Sequence, residues 1–218
     1  MRLYAITDRR LLPGTHERGR LSATERDELV RLTTEWADSG VEYIQLREKD
    51  LDVPDLTELA TAMLAAMRHS GAGRQPRLLV NAGATGAAEV ARTVGAAGVH
   101  LPGRWHAEEI GRARIVGLVS VGCHSVGEVA VARVACADMA LLSPIFRTES
   151  HPLARPLGLD TLVEAVKTAG RVPVYALGGV NRENAKACID AGAAGVAGIR
   201  TFLSGRWVPD EAQQAAQC

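Results

Sequence analysis

Eight short apolar runs alternate along this chain with alanine-rich segments of helical periodicity, and this alternation restricts the fold more than any other feature. The runs are LYAIT at 3–7, YIQLR at 43–47, RLLVN at 77–81, GVHL at 98–101, IVGLVS at 115–120, MALLS at 139–143, VPVYAL at 172–177 and GVAGI at 195–199. Between them the pattern predicts helices near 24–38, 55–69, 85–95, 106–112, 125–135, 159–169, 182–191 and 209–216. Continuously apolar strands, each followed by an amphipathic helix, describe a parallel sheet covered by helices. Eight such units point to a closed (β/α)8 TIM barrel, with residues 1–218 forming one domain. An open doubly wound sheet would carry a glycine-rich phosphate loop after its first strand. Here that strand runs into Thr7-Asp8-Arg9 instead.

Local signals agree with the alternation. Ser22 with Glu25, Thr24 with Asp27 and Ser125 with Glu128 have capping-box spacing. Gly40, Gly98 and Gly192 stand where helical runs end and a left-handed residue is expected. GAAG at 95–98 and AGAAG at 191–195 repeat one helix-to-strand joint. Two longer excursions, 9–22 and 147–157, both follow strands, so a barrel places both over its functional face.

The charge balance removes several function classes. With 25 basic and 25 acidic residues the formal net charge is zero, so bulk attraction to nucleic acid or to an anionic membrane is not expected. No run approaches the ~20 apolar residues that span a bilayer. MRLYAITDRR enters a strand pattern without a signal-peptide core, which makes a cytoplasmic protein the expectation. Cys123, Cys136, Cys188 and Cys218 form no CxxC or Cys/His metal signature and read as ordinary thiols.

In a barrel the polar residues at strand carboxyl ends form the site. Gln45, Arg47 and Lys49 alternate with Leu46 and Glu48, so all three face one side. Arg47 and Lys49 suit phosphate or diphosphate oxygens, and Gln45 suits an amine or ring nitrogen; pairing of the two cations with Glu48 and Asp50 is the plainer alternative. Gly178 and Gly179 allow close backbone approach, and Asn181 caps the next helix. That helix's first N–H groups, with the amides of Gly198 and Ile199, then make a phosphate site after the seventh and eighth strands. His124 either carries a proton near neutral pH or hydrogen-bonds its loop. His100 reads as a satisfied structural histidine, and Cys123, next to His124 but on the opposite face, not as a nucleophile. The 147–157 loop either closes over an anion or serves as a proline-stiffened connection.

Several stretches together resemble the thiamine-phosphate synthase and TenI-like superfamily: LYAITDRR at 3–10, YIQLREKD at 43–50, LLVN at 78–81, GVHLPG at 98–103, SPIFRTESHPLARPLGLDTL at 143–162 and VPVYALGGVNRENAKACIDAGAAGVAGI at 172–199. The resemblance implies a (β/α)8 barrel. Its synthases join an aminopyrimidine diphosphate to a thiazole phosphate, releasing diphosphate with magnesium as cofactor. It assigns Gln45, Arg47, Lys49 and Asn81 to the pyrimidine and diphosphate side and Thr148 to the diphosphate. Gly179, Gly198 and Ile199 would hold the thiazole phosphate. The chain departs from the synthase pattern at three points. Ala82 and Trp105 stand where magnesium-binding aspartates are expected, and His151 stands where a lysine is expected. TenI-like members share the barrel and phosphate grip but tautomerise a thiazole phosphate carboxylate without diphosphate chemistry, and their catalytic histidine is similar to His124. The resemblance therefore implies a thiazole tautomerase with no cofactor and no metal ligands. A synthase using Mg2+ and a non-catalytic regulatory barrel that binds a phosphorylated ligand are the alternatives. A phosphorylated thiazole or pyrimidine is the expected partner, with a homodimer as the expected assembly.

Overall fold

The computed structural model describes residues 1–14, 16–71, 73–83, 86–149, 153–205 and 207. Eight strands form a closed parallel barrel in chain order: β1 (Arg2–Ile6), β2 (Tyr43–Leu46), β3 (Arg77–Asn81), β4 (Gly98–Leu101), β5 (Leu118–Cys123), β6 (Met139–Leu142), β7 (Val174–Ala176) and β8 (Gly195–Gly198). Around it lie α1 (Ala23–Asp38), α2 (Val53–His69), α3 (Ala87–Val94), α4 (Ala107–Ala113), α5 (Val126–Val134), α6 (Gly158–Ala169), α7 (Arg182–Asp190) and the single-turn α8 (Arg200–Leu203). The helix expected at 209–216 lies outside the described residues. No helix among the described residues is long and apolar enough to cross a membrane.

The strand pleat sorts side chains into two shells. Leu3, Ala5, Ile44, Leu46, Leu78 and Val80 point outward and bury against the helices. Alternate residues point inward, where Tyr4, Tyr43 and Tyr175 pack ring against ring with centroids 5.7–6.0 Å apart. This aromatic layer fills the lower barrel, so the next inward residues, Gln45, Asn81, His100 and Ser120, are carried at the carboxyl end. Each buried aliphatic chain in the outer shell contributes about 1.5–3 kcal/mol.

Four local expectations need correction. Strand β5 begins at Leu118, three residues later than the apolar run at 115–120, because Gly117 adopts φ +141 and Ile115 is exposed. Gly98 is not left-handed; Gly95 takes that position at φ +71, and Gly98 opens β4 where a Cβ would collide with the Leu118 backbone. The repeated joint uses the same division at Gly192, φ +93, and Gly195, whose Cβ would strike the Arg2 carbonyl. Thr24 lies inside α1, whose cap is Ser22 with a complete capping box to Glu25. At α5 the Ser125 side chain accepts from the Glu128 amide, but the Glu128 carboxylate reaches one residue further back, to the amide of His124 at 2.7 Å.

Candidate functional site

The alternation of Gln45, Arg47 and Lys49 survives beyond the end of β2. Gln45 is buried, and its Oε1 accepts from Asn81 Nδ2 at 2.8 Å while its Nε2 donates to the Tyr4 hydroxyl at 3.0 Å. The Arg47 amide donates to Thr7 Oγ1 at 2.9 Å and its guanidinium to Asp8 Oδ2 at 3.1 Å. Lys49 crosses the end of β3: a Cβ on Gly83 would come within 3.2 Å of its Cε. Partial desolvation, with the charges of Arg47 and Arg10, lowers the Lys49 pKa. Burial alone would raise the Asp8 carboxyl, yet Arg10 and Arg47 outweigh it and hold the group below its usual range.

Glu48 and Asp50 turn the other way and do not neutralise Arg47 or Lys49. Both pair with Arg9, a fully buried cation that sequence reasoning missed. Arg9 Nη1 lies 3.3 Å from Glu48 and 2.8 Å from Asp50, and the Arg9 amide donates to Glu48 at 3.1 Å. Its Nη2 also donates to the carbonyl oxygens of Glu17 and Arg20, which fastens the 9–22 loop over the rim. The signal was present in the strand period. If residues 45, 47 and 49 face the mouth, Glu48 and Asp50 face away from it and need a cation there.

Two histidines reach the mouth in different states. His100 is buried, with Nδ1 2.9 Å from Ser120 Oγ, and burial plus the nearby Lys49 and Arg47 charges push its pKa down to about 3. It is therefore neutral. His124 is exposed, and its Nδ1 lies 2.9 Å from the Ser143 carbonyl oxygen. A carbonyl only accepts, so Nδ1 carries a proton, and in the neutral imidazole the lone pair is on Nε2. That Nε2 lies over Gly103, where a Cβ would come within 2.6 Å of it. Cys123 points into the helix shell, and burial pushes its thiol up to about 12, which removes it as a nucleophile.

At the opposite rim, Gly178 and Gly179 have φ +88 and +66 and pack under the β6–α6 loop. The Phe146 amide donates to the Gly178 carbonyl at 2.9 Å. Asn181 caps α7, but its Oδ1 accepts from the amides of both Glu183 and Asn184. Those two helix N–H groups are spent on the cap, which corrects the expectation that α7 offers its first amides to phosphate. Gly198 and Ile199 lead into α8, which has no side-chain cap, and Thr201 Oγ1 ties that turn to the Val180 carbonyl at 3.0 Å. Thr148 lies on the β6–α6 loop beside Arg147, and His151 lies outside the described residues.

The residues at the ends of β3 and β4 do not fit magnesium. Ala82 brings only backbone, and its amide donates to the His100 carbonyl at 2.8 Å. Arg104, at φ +71, turns the chain so that the Trp105 indole N–H donates to the Gly122 carbonyl at 2.7 Å. An indole N–H is a donor and offers no lone pair to a hard cation. Among the described residues no cluster of three His, Cys, Asp or Glu side chains could hold a metal ion.

Fold and rim together define a TIM barrel whose polar groups converge at the carboxyl ends of its strands, the position used by barrel enzymes. The chain belongs to the thiamine monophosphate synthase family, whose model matches residues 3–202. It is 37% identical over 203 residues to "Putative thiamine-phosphate synthase 2" of Aquifex aeolicus, covering 93% of this chain and 97% of that protein. It is 34% identical to the thiamine-phosphate synthase of Roseiflexus sp., covering 92% and 78% respectively. Thiamine phosphate pyrophosphorylase from Pyrococcus furiosus superposes with a TM-score of 0.73 at 26% identity, over 93% of this chain and 87% of that one. The names of these relatives favour the synthase expectation over the tautomerase one, and none of the three names is that of an isomerase.

Proposed function

We propose that this chain is a thiamine-pathway enzyme that relocates a proton on a phosphorylated thiazole, a thiazole tautomerase. The observation that carries this reading is the state of His124. Its Nδ1–H is spent on Ser143, and its Nε2 lone pair is free over Gly103 at the barrel mouth. Such a nitrogen can take a proton from one ring position and return it to another, with no net change in the enzyme. Gly179, Gly198 and Ile199 hold the phosphate across the mouth, and Gln45, Arg47, Lys49 and Asn81 face the ring and its carboxylate. The chemistry uses only these side chains, in keeping with the lack of hard oxygen donors at Ala82 and Trp105.

A second reading, thiamine-phosphate synthase, is favoured by the relatives' names and by the full Gln45, Arg47, Lys49 and Asn81 set, which exceeds what proton transfer alone requires. One experiment separates the two. Purified protein is given the thiazole phosphate carboxylate tautomer, and in parallel the pyrimidine diphosphate, thiazole phosphate and magnesium. Tautomer conversion without thiamine phosphate supports the first reading, and magnesium-dependent thiamine phosphate replaces it with the second. Binding of thiazole phosphate with neither product identifies a regulatory barrel.

A further inference from the structure

Three cations gather beyond the carboxyl ends of β1 and β2, and a single carboxylate serves them. Arg10 forks Asp8, its Nε 2.8 Å from Oδ1 and its Nη2 2.7 Å from Oδ2. Arg47 Nη1 donates to that same Oδ2 at 3.1 Å, so the two guanidinium groups meet at one oxygen. Neither has another ion pair among the described residues, and the Lys49 ammonium has none. Glu48 and Asp50, the acids next in the chain, are turned away to Arg9.

Like charges held this close repel, and a cleft lined by one sign of charge concentrates ions of the other. The excess extends across the mouth, since Arg47 and Arg10 disfavour the charged form of Lys49, and Lys49 and Arg47 that of His100. A divalent cation would add to this repulsion, and Ala82 and Trp105 offer it no carboxylate. An anion would relieve it. Donors remain for one: Asp8 takes two of the five N–H groups of Arg10, whose side chain stays 55% exposed. A flat carboxylate accepts two parallel hydrogen bonds from a guanidinium edge, and the Arg10 fork on Asp8 already shows that pairing.

We infer that the rim of β1 and β2 is a metal-independent subsite for a ligand carboxylate, bound by Arg10, Arg47 and Lys49, with Arg10 setting the preference for carboxylated ligands. The assignment rests on the thiazole phosphate reading, which puts the phosphate at the ends of β7 and β8. To that reading it adds Arg10 and a reason for the chain to select a ligand with two anionic groups. Arg10 and Arg47 supply directional N–H groups, and Lys49 supplies a point charge.

Calorimetric titration of the full-length protein in excess chelator tests this with two probes, thiazole phosphate carboxylate and thiazole phosphate lacking the carboxylate. Wild type is expected to bind the carboxylated probe about tenfold more tightly. Arg10→Met is expected to bring the two affinities within about threefold, by weakening only the carboxylated probe. Arg10→Lys keeps the charge but loses the fork, and is expected to fall between wild type and Arg10→Met. Equal affinities in wild type, a preference that survives Arg10→Met, or one that appears only with magnesium would each overturn the subsite. So would an equal loss for both probes, which would place Arg10 in the fold or the phosphate grip. If the preference depends on Arg10 but no tautomer is converted, the tautomerase reading fails and the carboxylate subsite stands. Conversion with a preference indifferent to Arg10 removes the subsite alone.

Discussion

His124 Nδ1 and the Ser143 carbonyl oxygen, 2.9 Å apart, join the carboxyl ends of two neighbouring strands and leave one imidazole nitrogen as a base. His124→Gln keeps a side-chain donor for Ser143 but has no basic nitrogen. Thiazole tautomer conversion is expected to fall about 10²–10⁴-fold, with thiazole phosphate affinity within a few-fold of wild type. Turnover assays paired with calorimetric titration check both numbers, and unchanged turnover would remove His124 from the reaction.

Lys49 reports on the anion side of the mouth. Its pKa is lowered by desolvation and by Arg47 and Arg10, so it loses its charge at a lower pH than an ordinary lysine does. Affinity for thiazole phosphate carboxylate is therefore expected to fall on the alkaline side earlier than free lysine would predict. Lys49→Arg, whose guanidinium stays charged, should flatten that decline, and Lys49→Met should weaken binding at every pH. A wild-type affinity profile that matches the arginine variant across the alkaline range would show that Lys49 does not face the ligand.

Arg9 concerns stability rather than chemistry. Arg9→Met leaves Glu48 buried without its cation and is expected to cost about 3–5 kcal/mol at pH 7, read from urea unfolding. Hydrogen bonds from Arg9 hold Asp50 far below the usual carboxylate range. A depressed carboxyl contributes stability above its unfolded pKa, near 4, and loses it as pH falls. Glu48, raised by burial, works in the opposite sense. Since removing Arg9 takes away the largest part of the Asp50 contribution, the gap between wild type and variant should narrow in acid. A gap that stays constant from neutral to acid pH would separate Asp50 from Arg9.

How much of this was legible beforehand depends on the range of the interaction. The strands were visible because their outward faces and most of their inward positions are apolar, and the rim triad because alternation at 45, 47 and 49 needs no knowledge of distant residues. Strand β5 was misplaced because Ile115 and Val116 look like strand residues until Gly117 adopts its positive φ. Arg9 escaped because its partners lie 39 and 41 residues away, a proximity that only barrel closure creates. The α7 amides were misjudged because Asn181 was recognised as a cap without counting the donors it satisfies.

Magnesium gives the sharpest distinction between the two enzymatic readings. A synthase needs carboxylate oxygens to hold a metal–diphosphate complex, and β3 and β4 present Ala82 and an indole already bonded to Gly122. Asp8, the acid at the β1 rim, is occupied by Arg10 at 2.7 Å and Arg47 at 3.1 Å. Thiazole tautomer conversion is therefore expected to be unchanged by excess chelator, with wild-type protein forming no thiamine phosphate when magnesium is restored. Ala82→Asp combined with Trp105→Asp should create saturable magnesium binding in the presence of diphosphate, measurable by calorimetry, that wild type lacks. Chelator-sensitive thiamine phosphate formation by the wild type would mean that Asp8 leaves its arginines for the metal, and the tautomerase reading would then give way to the synthase.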